Sequence, residues 1–326
     1  MPKSKSCELC CIEFVGLPPT VATCENSLVK ICLDECSPKL NSCKSKISWQ
    51  ESVDGRIWID LPLQHKKCLE FIATSADNGK YYRARILNGG KCWISQWTQL
   101  EVLPSSSLIL DTGVVGNSIG FPAGAFPQDF LWLNRFTPSS YPFILKEIQI
   151  YFASNINGNS THVSVGDPVD FYVWENLTGN VDPAVGSVFR GSLIGRQVLE
   201  LDAFNSYILP KPIVFDGPGD VLIGAVNRLQ VAPYFPAALN TENSQQRSWV
   251  GFDYPNGIAT YPPFLPAPTW FVIDDLAPQF AGNWMIRGIG CGGSQEPIQL
   301  AIQPSAALSA SAASAASAQS GLTGAK

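Results

Sequence analysis

The chain has 326 residues, enough for two domains that each bury a hydrophobic core. Only 15% of its residues are charged, and a net charge of −5 excludes the basic surface that nucleic-acid binding usually requires. The sequence contains no run of about 18 or more apolar residues, which excludes a transmembrane helix. The 27 glycines and 25 prolines are typical of a turn-rich β protein.

Charge and cysteine content divide the chain near residue 104. Residues 1–103 carry 13 Lys and Arg against 11 Asp and Glu, a balance of +2. Residues 104–326 carry 9 against 16, a balance of −7. Nine of the ten cysteines lie before residue 93. We therefore predict two domains joined by a linker at residues 104–108.

The cysteines predict a disulfide framework. Their density in the first part of the chain is typical of small disulfide-bonded domains, and a zinc site is the alternative. Only Cys7 and Cys10 have the paired spacing of a zinc knuckle, which favours disulfides. Because nine is odd, one early cysteine must stay free, bond to Cys291 or bond to another chain. The disulfide candidates are Cys7, Cys10, Cys11, Cys24, Cys32, Cys36, Cys43, Cys68, Cys92 and Cys291.

Disulfides point to an oxidising compartment, so we expect the protein outside the cell, on a cell surface or in a virion. The first seven residues lack the apolar core of a signal peptide. Three explanations stay open: the leader has been removed, export is unconventional, or the protein is a virion component released by lysis.

In chain order, residues 1–30 predict an extended, disulfide-stapled arm, because cysteines and the Pro18-Pro19 pair leave only a short apolar run. Residues 31–103 predict a domain of short strands separated by turns. Three features stand out there: Trp49, a turn at residues 52–55 followed by Trp58, and the run Asp77-x-Gly79-x-Tyr81-Tyr82-Arg83.

With these features, residues 30–103 resemble the immunoglobulin-like modules of secreted bacterial surface proteins. The resemblance implies an Ig-like β-sandwich with Trp49 in its core. It also implies a tyrosine corner, in which Tyr81 or Tyr82 is buried and its hydroxyl bonds to backbone. Another small β domain with a buried Trp is the alternative.

One position departs from the Ig pattern. Arg83 stands where many Ig domains carry their second core cysteine. The resemblance therefore leaves Cys92 as the partner of Cys32, Cys36 or Cys43.

Residues 109–293 predict a second all-β domain. Runs rich in β-branched and aromatic residues at 145–152, 169–174 and 220–226 are separated by turn residues. Strands at this spacing indicate a β-sandwich or jelly roll. The succession resembles the jelly-roll accessory domains found beside Ig-like modules in secreted bacterial proteins. That resemblance implies binding, anchoring or display rather than catalysis.

Residues 294–326 predict a terminal strand and a tail. Residues 297–302 alternate like a strand, and we expect them to add to an edge of this chain's sheet or of a neighbour's. Residues 306–318 are nearly all Ala and Ser, which indicates a flexible tail or a lightly packed surface helix.

Two short motifs resemble catalytic loops but lack the neighbouring sequence features that such loops require. Asp111-Thr112-Gly113 has the form of an aspartic-protease loop, but a second such loop is missing from the sequence. Gly116-Asn117-Ser118-Ile119-Gly120 fits a nucleophile elbow, yet Phe121-Pro122 follows it where a helix should begin. We interpret both as turns and expect no enzymatic activity.

Two weaker ligand sites remain as hypotheses. Asp182, Asp216 and Asp220 are candidates for a structural calcium ion, the one cofactor that the sequence leaves open, and solvated turns are the alternative. Trp174, Trp249 and Trp270 are candidates for stacking on sugar rings, and burial in the core is the alternative.

Together these patterns predict an all-β, non-enzymatic extracellular protein with a structural or adhesive role. We expect it to assemble with itself as a subunit of a surface appendage, filament or virion. Charged side chains normally hinder association between sheet edges, and this chain has few of them. A carbohydrate-binding module that recognises a surface glycan is the alternative.

Overall fold

The computed structural model describes residues 12–14, 16–34, 46–88, 91–123, 125, 128–230, 233–254, 263, 265 and 269–293. The chain divides into two compact units, residues 1–105 and 106–326. The predicted all-β sandwich fold is confirmed, since the described residues form strands and only three single-turn 3-10 helices. None of these helices is long and apolar enough to cross a membrane.

The described part of the first unit contains nine strands and one 3-10 turn at Ser75–Asp77. The strands are β1 (Ile12–Phe14), β2 (Thr20–Cys24), β3 (Leu28–Cys32), β4 (Lys46–Ser52), β5 (Ile59–Asp60), β6 (Cys68–Ile72), β7 (Tyr81–Asn88), β8 (Lys91–Ser95) and β9 (Thr98–Leu103). One sheet runs in the order β1–β8–β7–β4–β5, with β9 pairing with both β7 and β2. Strands β3 and β6 form a second, two-stranded sheet.

Alternation along β7 explains why these two sheets pack face to face. Tyr82, Ala84 and Ile86 are buried in one hydrophobic cluster with residues of β3, β4, β6 and β9. Trp49 on β4 lies in the centre of this cluster, is fully buried and donates its indole N–H to the Lys66 carbonyl at 3.0 Å. Since side chains alternate across a strand, Arg83 and its odd-numbered neighbours lie on the opposite, outer face of the sheet.

Three predictions for this unit need correction. The described part of the arm predicted at residues 1–30 belongs to the sandwich, because β1 pairs with β8, β2 with β9 and β3 with β6. Residues 105–108, predicted as linker, form a strand that belongs to a sheet of the second unit. Neither hydroxyl of the expected tyrosine corner has a hydrogen-bonded backbone partner among the described residues, although Tyr82 is buried.

The disulfide that the structure resolves also differs from the pairing that the resemblance suggested. Cys32 and Cys68 face each other across β3 and β6 and form a disulfide, so Cys92 is not the partner of Cys32. Cys24, Cys92 and Cys291 are disulfide-bonded as well. The candidates Cys7, Cys10, Cys11, Cys36 and Cys43 lie outside the described residues.

The described part of the second unit contains fifteen strands. They are β10 (Ser105–Leu108), β11 (Asn117–Phe121), β12 (Gln128–Phe136), β13 (Phe143–Phe152), β14 (Asn155–Ile156), β15 (Asn159–Ser160), β16 (Pro168–Asn176), β17 (Ser187–Gln197), β18 (Ala203–Phe215), β19 (Asp220–Gln230), β20 (Tyr234–Asn240), β21 (Ser248–Tyr254), β22 (Thr269–Val272), β23 (Asn283–Trp284) and β24 (Ile286–Cys291). Single 3-10 turns lie at Ile273–Asp275 and Pro278–Phe280.

The strands of the second unit form three main sheets. One sheet runs β17–β16–β19–β12–β21–β22, another runs β10–β24–β13–β18, and β11–β20–β23 form a third. The chain crosses repeatedly between sheets, from β12 to β13, back to the β16–β17 hairpin, on to β18 and back to β19. Repeated crossing between sheets is typical of β-sandwiches.

One hydrophobic core joins the three sheets of the second unit. It contains Trp132 and Trp284, whose rings meet edge to face at 5.7 Å, and Phe152 and Phe171 from two further strands. The near-continuous burial of β16 and β20 reflects strands that are covered on both faces.

Candidate interaction surfaces

The residues of the two catalytic-loop motifs have structural roles. Asp111 is buried, and its carboxylate accepts hydrogen bonds from Arg287 Nε at 3.0 Å and from the Gly113 N–H at 2.8 Å. The Arg287 guanidinium also lies 3.7 Å from the centre of the Phe204 ring. Ser118 lies buried within strand β11 rather than in the predicted turn.

The structure gives the three calcium candidates separate partners. Asp220 is buried and forms ion pairs with Arg135 at 3.3 Å and Arg247 at 3.7 Å. Asp182 accepts the Trp270 indole N–H at 3.0 Å, and Asp216 is exposed. Within the described ranges, no group of three or more His, Cys, Asp or Glu could hold a metal ion. These three carboxylates are therefore not gathered into one cluster that could hold an ion.

The three candidate sugar-stacking tryptophans lie together on the outer face of the six-stranded sheet. Trp174 belongs to a small cluster with Tyr172, Leu131 and Leu222 that faces away from the main core. It is only 3% exposed, so the prediction that Trp174 offers a stacking surface is wrong. Trp249 and Trp270 are half-buried against this cluster and stack on each other, with ring centres 5.3 Å apart.

Polar groups border this aromatic cluster. Arg228 pairs with Asp170 and donates from Nη2 to the Tyr172 hydroxyl at 3.1 Å. Burial, together with the nearby Asp170 carboxylate, raises the pKa of Tyr172 to about 12. The hydroxyl therefore stays protonated at physiological pH. Trp249 Nε1 is buried without a hydrogen-bond partner among the described residues.

The hairpin that joins β16 and β17 carries several exposed apolar side chains that the sequence reasoning missed. Leu177 is 56% exposed, Val181 67% and Val185 47%, and Val188 and Phe189 at the start of β17 are exposed as well. We call these five residues the hairpin patch. Its signal in the sequence was a set of aliphatic residues inside a segment otherwise rich in Gly, Asp, Asn and Pro.

Side-chain hydrogen bonds hold this hairpin in one conformation. Thr178 Oγ1 donates to Asn176 Oδ1 at 2.7 Å and lies 3.0 Å from the Val185 carbonyl oxygen. Arg135 donates to the Asn180 carbonyl at 3.0 Å, which ties the loop to β12. The Trp270 contact to Asp182 ties it to β22. The exposed aliphatic residues are therefore presented on a fixed loop.

A second surface, which is half-exposed, lies on the outer face of the first unit. Tyr81, Arg83 and Arg85 alternate along β7 with the buried residues of the core. The Arg83 guanidinium lies 3.9 Å from the centre of the Trp58 ring. Trp97 is 47% exposed and meets the Tyr81 ring edge to face at 4.8 Å. We call Trp58, Tyr81, Arg83, Arg85 and Trp97 the aromatic–arginine face.

Comparison with known proteins assigns this chain to no family. No protein-family profile matches the sequence, and no curated protein is significantly similar to it. One structural neighbour is the three N-terminal domains of the highly immunogenic outer capsid protein (Hoc) of bacteriophage RB49, at 9% identity and a TM-score of 0.19. Another is a Corynebacterium diphtheriae protein described as membrane anchored, at 14% identity and a TM-score of 0.17.

The matched part is 72% of this chain in both cases, and it spans 58% of the phage protein and 53% of the corynebacterial one. The chain thus matches little more than half the length of either neighbour. TM-scores this low carry no argument about fold or function.

Proposed function

We propose that this protein is an extracellular structural or adhesive protein that assembles with copies of itself, as a subunit of a surface appendage, filament or virion. The hairpin patch is the observation that carries the proposal. Exposed apolar residues that are concentrated on one hairpin mark a candidate interaction site, and hydrogen bonds within the loop lower the entropy lost on binding. Self-association would bury these side chains without any other partner.

The disulfide and the hydrogen bonds made by the catalytic-loop motifs support the remaining parts of the proposal. The Cys32–Cys68 disulfide favours an oxidising, extracellular environment. A non-enzymatic role without a cofactor fits the structural engagement of Asp111 by Arg287. An Ig-like identity for the first unit fits its two facing sheets and its buried Trp49.

Light scattering on the full chain tests the proposal. We expect the average mass to rise with protein concentration, and a Val181→Lys/Val185→Lys variant to remain monomeric under the same conditions. Ile208→Lys is the matched control, since Ile208 on β18 is exposed to 74% but lies outside the hairpin patch. A wild-type chain that stays monomeric at high concentration would show that the proposed function is wrong.

A truncation that ends at Gly293 tests the contribution of the predicted terminal strand, which lies outside the described residues. If residues 297–302 supply a strand to a neighbour, the truncated chain should assemble less than the full chain. Equal assembly of both would assign the contact to the two folded units alone.

Carbohydrate binding is a second candidate, favoured by the stacked pair Trp249 and Trp270. These two rings are only half-buried, so part of their apolar surface can stack on a sugar ring. Affinity electrophoresis through gels that contain soluble polysaccharides tests it. We expect retardation of the wild-type chain and loss of retardation for Trp270→Ala. Equal mobility in all gels would exclude the glycan role for the polysaccharides used.

A further inference from the structure

Two surfaces on different units are complementary in chemistry. The hairpin patch of the second unit is aliphatic, and Asp182 is its only charged residue between Leu177 and Phe189. The aromatic–arginine face of the first unit offers indole rings and guanidinium planes. Such planes pack on aliphatic side chains, and guanidinium groups also bind carboxylates and backbone carbonyls.

The aromatic–arginine face is already held in a fixed arrangement by its own polar contacts. Arg83 Nε donates to Gln50 Oε1 at 2.8 Å, and Gln50 Nε2 donates to Asp60 Oδ1 at 2.8 Å. Arg85 Nη2 donates to Asp60 Oδ2 at 3.1 Å. The groups lie on paired strands rather than on loops, since Gln50 faces Arg83 across β4 and β7. Preorganised side chains on rigid strands lower the cost of binding.

Composition also distinguishes this face from an ordinary exposed sheet. Trp, Tyr and Arg are the residues enriched at the energetic centres of protein interfaces. An exposed β-sheet surface is more often covered with Thr, Lys and Glu. Trp97 in particular leaves nearly half of its surface in water and meets the Tyr81 ring edge to face.

Net charge identifies a second copy as the partner. The first unit carries +2 and the second −7, so the first unit of one copy attracts the second unit of another. Two first units, or two second units, carry net charge of the same sign and do not attract each other. This disfavours contact between two identical faces.

We propose that the aromatic–arginine face of one copy binds the hairpin patch of the next copy. This contact rests on the proposed self-assembly and names its two surfaces. Because the surfaces differ, the interface is heterologous, and repetition of the contact links copies head to tail. In this arrangement Trp58 and Trp97 pack on Val181 and Val185, and Arg83 or Arg85 reaches Asp182 and the loop carbonyls.

Complementation between two broken variants tests the proposal. Trp58→Ala/Trp97→Ala removes the aromatic anchors of the face and leaves the hairpin patch intact. Val181→Lys/Val185→Lys blocks the hairpin patch and leaves the face intact. We expect each variant alone to associate at least tenfold more weakly than the wild-type chain. An equimolar mixture should form one-to-one dimers that grow no further, which sedimentation velocity resolves.

The outcomes separate the proposal from the proposed function. If the wild-type chain assembles, the hairpin variant does not, and the face variant assembles like wild type, the contact named here is wrong while self-assembly stands. A mixture that yields no dimers would likewise overturn the heterologous contact. A wild-type chain that never assembles overturns the proposed function and this contact together.

Leu63→Ala is the control for unspecific effects on solubility, since Leu63 is an apolar residue of the first unit that is 89% exposed. Circular dichroism confirms that every variant is folded.

Discussion

At the scale of single residues, the two units are specified by large buried aromatics whose polar atoms are satisfied. Trp49 and Trp284 are fully buried, and each donates its indole N–H to a backbone carbonyl, Lys66 and Trp249 respectively. A buried ring with an unpaired N–H would lose part of the stabilisation that its burial provides. These bonds fix the orientation of the rings and therefore the packing around them.

Replacing Trp49 by Ala should lower the free energy of unfolding of the first unit by about 3–5 kcal/mol, the range for deletion of a large buried aromatic. Urea unfolding followed by tryptophan fluorescence measures the change. Trp97→Ala is the matched control, since it removes the same side chain from an exposed site and should cost less than about 1 kcal/mol. Equal stability of Trp49→Ala and the wild-type chain would contradict the central position of Trp49.

A buried carboxyl makes the stability of the second unit depend on pH. Burial raises the pKa of Asp274 above its usual value of 3.8, although a hydrogen bond from Ser244 opposes the rise. The folded state thus holds this proton more tightly than the unfolded state, and stability is lost as pH rises from about 4 through the folded pKa. Each unit of raised pKa corresponds to about 1.4 kcal/mol.

Asp274→Asn should therefore flatten the decline in thermal stability between about pH 4 and pH 7. Melting temperatures of the variant and the wild-type chain over this range measure the effect. Asp216→Asn is the control, because Asp216 is exposed. Parallel pH profiles for Asp274→Asn and wild type would show that Asp274 does not carry the dependence.

At the scale of elements, β18, a strand at the edge of a sheet in the second unit, is protected against pairing. Leu145 of β13 pairs with Ile213 of β18, and Glu147 of β13 pairs with Ile208 of β18. Residues 209–212 of β18 therefore form a bulge. Two of these residues are Pro210 and Pro212, which have no N–H to donate. Beside the bulge, a groove of about 480 Å³ separates β17 from β18. Bulges and prolines at edges prevent strand addition, which favours association through surfaces such as the hairpin patch.

The β3–β6 pair of the first unit depends on its disulfide. A two-stranded sheet is marginal alone, and Cys32–Cys68 closes a loop with a sequence separation of 36 residues. Cys32→Ser/Cys68→Ser should therefore cost about 2–4 kcal/mol in the free energy of unfolding. Urea unfolding monitored by Trp49 fluorescence measures the loss, and non-reducing peptide mapping tests whether the other candidate cysteines are oxidised. Unchanged stability, or stoichiometric zinc, would contradict the disulfide framework.

At the scale of the whole molecule, the chain joins two units of opposite net charge, each with its own hydrophobic core. Unequal charge orients an encounter between copies before any contact forms. The apolar and aromatic surfaces then determine how long the contact lasts, because burial of apolar area mainly affects dissociation.

Salt should therefore slow assembly more than it weakens the assembled state. Raising NaCl from about 50 mM to about 500 mM shortens the screening length to a few ångströms and removes most long-range attraction between the units. We expect the initial rate of the light-scattering increase to fall several-fold, with a smaller change in its final level. An initial rate that is constant or rises with salt would indicate that net charge does not steer association.

The sequence by itself determined the fold class, because the alternation of apolar and polar residues in strands such as 145–152 and 169–174 is a local property. The resemblance to Ig-like modules placed Trp49 in a core and predicted that Tyr81 or Tyr82 is buried, and the structure buries Trp49 and Tyr82.

Only the tertiary structure decided which of these residues act together. Trp174, Trp249 and Trp270 read alike in the sequence, yet sheet pairing buries the first and leaves the other two stacked and half-exposed. The sequence made Asp220 a candidate calcium ligand. In the structure its carboxylate forms ion pairs with Arg135 and Arg247, which are distant in sequence. The hairpin patch became visible only when the turn around Thr178 and Asp182 left its aliphatic residues outside the core. Burial and charge pairing depend on contacts between strands far apart in the chain, and local pattern carries no information about those contacts.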